Sequence, residues 1–187
     1  MRKPTKTAWE SAAVRLLDDV YSLVATGPRR YPDWQSDVLA VLNREAEDPR
    51  GWRVLDWEFN KEGRALGNAS FPFRPLSRDT VAEHLWEITR EDAAHILEIM
   101  SYDWEWHISP SPEEAARRVA DTHLLLDRYG DEVSCYTNVR GVGDSLTLDL
   151  AARRIRGWWP FTEYSGDFGF VVVSPEEVGV FWTFDPR

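Results

Sequence analysis

Residues 168–174 and 178–184 are two apolar runs joined by Pro175-Glu176-Glu177, a spacing that makes the end of the chain a β-hairpin. A hairpin this apolar needs a sheet to join and helices to cover it. Residues 132–138 and 145–150 read as further strands. Residues 102–108 alternate strictly, with Tyr102, Trp104, Trp106 and Ile108 on one face and Asp103, Glu105 and His107 on the other. An earlier run, 52–59, sets Leu55, Trp57 and Phe59 against Val54, Asp56 and Glu58. Past a turn at 60–64, residues 65–73 return as its partner, with Pro72 and Pro75 pushing the far end to an edge or out of the sheet.

The helical signals are of a different kind. Val14, Leu17, Tyr21 and Val24 recur at helical spacing, which predicts a helix over 7–26 ended by Gly27-Pro28. Residues 32–47 read as a second helix, with Trp34, Val38, Leu39 and Leu42 on one stripe and Asp33 near its start. Residues 77–100 are helical in two pieces, the first capped by Ser77 and the second by Thr89 with Asp92. Ser111-Pro112-Glu113-Glu114 opens a helix that runs to Tyr129, with Glu114 as a capping-box glutamate and Gly130 as the stop.

The order of elements predicts one α+β domain over residues 1–187, helical over 1–50 and mixed over 51–187. Its sheet is largely antiparallel, of about five to seven strands, backed by helices and preceded by an N-terminal helical pair. A length of 187 residues agrees with one domain. The lone Cys135 excludes an internal disulfide framework and any multi-cysteine zinc site, and fits a reducing cytoplasm. The basic start lacks the apolar core of a signal peptide, and no apolar run approaches the roughly 20 residues of a membrane span. A soluble cytoplasmic protein is expected. Nineteen arginines against three lysines suggest a GC-rich bacterial source.

Charge is the strongest guide to partners. The chain carries a net charge of −10, and residues 79–149 alone hold 16 acidic and 5 basic residues, a net of −11. Such a field repels phosphate backbones and attracts a basic protein. Nucleic acid is therefore not an expected partner, and with no spanning run neither is a membrane.

Asp103, Glu105 and His107 line one strand face, and Asp56 and Glu58 the corresponding face of another, so four carboxylates crowd one surface if the two strands are neighbours. That arrangement suits a cationic partner. Glu113 and Glu114 add an acidic helix start, and the ten tryptophans, above all Trp158 and Trp159, can serve as anchors. His84, Glu91 and His95 would share a stripe on one continuous helix, but the break near Thr89 argues against a metal site, and neither HExxH nor paired ExxH is present. His123 reads as a core histidine and Cys135 as a buried, inert thiol. Residues 141–145 (Gly-Val-Gly-Asp-Ser) fit a β-turn better than a phosphate loop, since the third glycine of GxGxxG is missing. No catalytic residue, metal or cofactor is assigned.

The terminal stretch, with Trp159, Pro160, Asp167, Gly179, Trp182 and Asp185, resembles the C-terminal hairpin of several families of bacterial toxin-immunity proteins. They share an aromatic-Pro turn, an aspartate before a hydrophobic strand, a short acidic turn and a GxxW strand. The resemblance covers about 30 of the 187 residues, and the chain ends in Asp185-Pro186-Arg187 where those families carry an acidic run. It implies tight binding and neutralisation of a cognate toxin, frequently a basic nuclease. The residues themselves leave two other readings open: a small enzyme or ligand-binding domain with an aromatic-lined pocket, or a subunit of a larger assembly.

Overall fold

The computed structural model describes residues 3–17, 21–46, 48–49, 70–101, 110–140, 148–149, 154–155 and 157–185. The terminal hairpin is the centre of the molecule. Strands β6 (Gly166–Val173) and β7 (Glu177–Asp185) pair antiparallel from Val173↔Val178 to Gly166↔Asp185. Ser174 closes their turn: its Oγ accepts from the backbone N–H groups of Glu176 and Glu177 at 3.3 and 3.0 Å. Strand β1 (Ser22–Pro28) flanks β7, while β3 (Ser134–Thr137) and the short β2 (Trp86–Ile88) continue beyond β6. The five-stranded sheet has the order β1-β7-β6-β3-β2, and every pairing in it is antiparallel. A separate ribbon pairs β4 (Leu148–Asp149) with β5 (Arg154–Ile155).

Both faces of this sheet are covered, which is why all eight positions of β6 are buried. On one face Phe168, Phe170, Val172, Phe181, Val24 and Cys135 meet helices α1 (Lys6–Leu16), α4 (Arg90–Met100) and α5 (Pro112–Asp127). On the other, Leu23, Ala25, Val171, Val180, Trp182 and Phe184 meet α2 (Trp34–Leu42) and Val81 of α3 (Arg78–His84). The alternation of β7 sorts its side chains cleanly between the two cores. The expected α+β fold with an antiparallel, helix-backed sheet is present.

The N-terminal region differs in detail. The helix predicted over 7–26 stops at Leu16, and its second half is strand β1. A strand buried on both faces carries consecutive apolar residues, here Leu23, Val24 and Ala25, and such a run has no period of its own to oppose a helical reading. Val14, taken as part of the apolar stripe, is 40% exposed, while Trp9, Ala12, Ala13 and Leu16 form the true buried face. Gly27-Pro28 therefore ends a strand. Both N-terminal helices exist, with β1 between them, and they lie on opposite faces of the sheet.

Helix α1 is fixed to α5 by polar as well as apolar contacts. The Trp9 indole N–H donates to the Leu125 carbonyl at 3.1 Å, and the Arg128 guanidinium lies 4.7 Å above the Trp9 ring. Arg15 grips Asp121 with two hydrogen bonds, at 3.1 and 2.5 Å. The two-piece reading of 77–100 holds, with β2 as the break. Ser77 caps α3, and Thr89 and Asp92 form a reciprocal capping box on α4.

Cys135 is buried at the centre of β3, and burial pushes its thiol up to about 11. Only the thiolate reacts, so an aromatic disulfide reagent near pH 8 is expected to modify the native chain about a hundredfold more slowly than an unhindered cysteine. Equal rates for native and urea-unfolded protein would show that the thiol is open to solvent.

Candidate functional site

Three surface features are candidates for a site, and the first is the start of α5. Ser111 caps it by accepting from the Glu114 backbone N–H at 3.2 Å, with Pro112 at the first helical position. Glu113 is exposed. The Glu114 carboxylate turns along the helix to Arg118, at 2.7 and 3.2 Å, and this hydrogen bond holds it below the usual carboxylate range. Arg118 also donates to the Ser101 carbonyl, tying the start of α5 to the end of α4.

The second feature is a groove of about 810 Å³ between α4 and α5. Its apolar part consists of Ala94, Val119 and Leu126, and its polar part includes Glu91, His95, Glu98, Thr122 and His123. Arg90 spans one end, bonded to Asp127 at 2.7 Å with Asp131 at 3.8 Å. His123, expected in the core, is exposed here. The apolar lean of its helix face comes from Val119, which is itself 40% exposed, so the stripe borders the groove and does not enter the core. His84 is separated from Glu91 and His95 by β2, and the one-helix stripe does not form.

The third feature is aromatic. Trp158 bridges Val139, and Trp159 is held by Asn138 on both sides: its N–H donates to the Asn138 carbonyl at 2.9 Å, and its carbonyl accepts from Asn138 Nδ2 at 2.8 Å. The Trp159 ring stacks on His84 with centroids 3.6 Å apart and planes 9° apart. Arg140 lies 5.8 Å from the Trp159 and Trp86 rings alike, and Trp34 stacks on Tyr136 at 4.2 Å. Trp34, Trp86, Trp158 and Trp159 are half-buried, each with part of its surface available.

Trp159 packs against the core cluster on one sheet face and α5 against the other, so the structure does not bring Trp159 together with Glu113 and Glu114. Asp56, Glu58, Asp103, Glu105 and His107 lie outside the described residues, as does the 141–145 turn.

This chain matches no family model, no curated protein and no solved structure. Its own geometry has to carry the functional reading. Among the described residues, no group of three or more His, Cys, Asp or Glu side chains is placed to hold a metal ion, and no helix is long and apolar enough to cross a membrane.

Asp167 and Trp182, two of the terminal residues that carry the resemblance to immunity proteins, belong to one buried hydrogen-bond network. Asp167 is wholly buried and accepts from five donors: the backbone N–H groups of Phe161 and Thr162, the Thr162 hydroxyl, Asn138 Nδ2 and the Trp182 indole N–H. Burial pushes this carboxyl up, and the hydrogen bonds pull the other way. Asn138 Oδ1 accepts from Gly169 N–H at 2.9 Å, joining β3 and β6 to the same network. These side chains pin residues 159–162 across the end of the sheet. Sequence reasoning missed the network, although an aspartate just ahead of a fully apolar strand was a usable signal for it.

Proposed function

We propose that this chain is an acidic binding protein that neutralises a cognate basic protein, a toxin such as a nuclease, by covering its working surface. The observation that carries the reading is where the charge sits. The net of −11 between residues 79 and 149 falls on the stretch that supplies α3, β2, α4, α5 and β3, while the rest of the chain is close to neutral. Helices α4 and α5, which supply seven of that stretch's sixteen acidic residues, lie side by side on one sheet face, whereas α3, with Asp79 and Glu83, lies on the other. An acidic field steers a cationic partner and fixes its orientation. The resemblance of the terminal hairpin to immunity proteins points the same way. On this reading the chain works in a bacterial cytoplasm and acts by occlusion, with no chemical step of its own.

The test is recovery of the tagged chain from its host, followed by kinetics on the captured partner. The expected partner is one basic protein in near-stoichiometric amount, whose activity is suppressed in the complex. Its association rate should fall tenfold or more between about 20 and 200 mM salt, as screening shortens the reach of the field. An association rate indifferent to salt, or a captured enzyme that stays fully active, would reject the proposal. A co-purifying metabolite in place of a protein would favour a ligand-binding domain instead.

A further inference from the structure

We propose that the groove between α4 and α5 receives an apolar segment of the basic partner that carries two lysine or arginine side chains. The inference rests on the reading above and names the contact.

Two observations converge on this groove. The first is uncompensated charge. Glu91 and Glu98 both line it, and among the described residues neither has a cationic partner, whereas the groove's other carboxylate, Asp127, is held by Arg90. The second is apolar exposure. Only Val14, Tyr31 and Val119 are exposed large hydrophobic residues among those described, and Val119 stands in this groove beside Ala94 and Leu126.

The spacing selects a segment of chain over a compact ion. Glu91 and Glu98 are seven residues apart on α4, two helical turns, which places them about 10 Å apart along its axis. Two cationic side chains one heptad apart on a helix match that interval. The apolar residues between them would lie on Val119, Ala94 and Leu126. His95 and His123, one from each helix, face the same space as further polar contacts. This is the helix-in-groove mode of recognition, with charge at the rim and apolar surface at the floor.

The probe is a helical peptide of about 14 residues with two lysines one heptad apart and leucines between them. It is titrated into the full isotope-labelled chain while the methyl signals of Ala94, Val119 and Leu126 are followed. Saturable shifts at these methyls are expected, with about tenfold weaker binding in the double variant Glu91→Gln, Glu98→Gln, whose circular dichroism should be unchanged. Shifts confined to other surfaces, or equal affinity in the double variant, would overturn the inference. Spermine binding as tightly as the peptide would overturn it too, in favour of a small polyamine. The peptide needs no native partner, so the groove is tested even if the search for a toxin fails. Conversely, a native basic partner that binds wild type and double variant alike would refute the groove and leave the broader function standing.

Discussion

Replacing Asp167 with alanine is expected to remove about 3–9 kcal/mol of stability, a large share of the roughly 5–15 kcal/mol that holds a domain folded. The carboxylate is wholly buried and receives five hydrogen bonds. Two of the donors have an escape: the Thr162 hydroxyl can rotate, and Asn138 Nδ2 keeps the Trp159 carbonyl at 2.8 Å. The backbone N–H groups of Phe161 and Thr162 and the Trp182 indole have none, and each orphaned buried donor costs about 1–3 kcal/mol. Asp167→Asn retains one acceptor oxygen but turns an NH2 towards donors, so a loss about half as large is expected. Urea unfolding followed by tryptophan fluorescence measures both. A loss under about 1.5 kcal/mol for the alanine variant would mean that water satisfies those donors.

The same network gives Asp167 and Trp182 of the terminal pattern a structural role. Asp167 accepts from the Trp182 indole and, through Asn138, is joined to the Trp159 backbone across the end of the sheet. A folding constraint of that kind places Asp167 and Trp182 whether or not a partner binds there. The tryptophans divide similarly. Trp9 and Trp182 are fully buried, with both indole N–H groups bonded, whereas Trp34, Trp86, Trp158 and Trp159 keep part of their surface. Composition could not make that division, because an indole contributes the same apolar area to a core as to an interface.

What the sequence revealed followed from local physics. The caps at Ser77, Thr89 and Ser111 depend on a few adjacent residues, and each is present. The hairpin over β6 and β7 could be read because its turn chemistry is local. Strand β1 and His123 depart from their sequence pattern because burial is set from outside the segment. Helices on both faces erase the alternation of β1, and the proximity of α4 to α5 decides whether the Val119–His123 face is core or groove wall. Glu114 shows the same limit within one helix turn. Its position fitted a capping box, but Arg118 offered the carboxylate a charged donor, and such hydrogen bonds are the stronger kind.

Gly169→Ala is expected to cost about 3 kcal/mol or more, because it overpacks a point where nothing can move aside. Gly169 lies opposite Trp182 in the β6–β7 pairing, and a Cβ there would come within 2.6 Å of the indole and closer still to the Phe181 carbonyl. The carbonyl belongs to a strand paired on both sides, and the indole is anchored to Asp167. Relief would require separating β6 from β7, which breaks the centre of the sheet. Gly157→Ala makes the contrast. That glycine has φ +81° with nothing within 4 Å of an added Cβ, so its cost is limited to backbone strain of about 1–2 kcal/mol. Trimming Trp182 to leucine in the Gly169→Ala background should recover only part of the loss, since the clash with the Phe181 carbonyl persists and the Asp167 contact goes with the indole. Full recovery would place the whole conflict in the side chain; a Gly169→Ala chain as stable as wild type would show that the two strands stand further apart than this register allows.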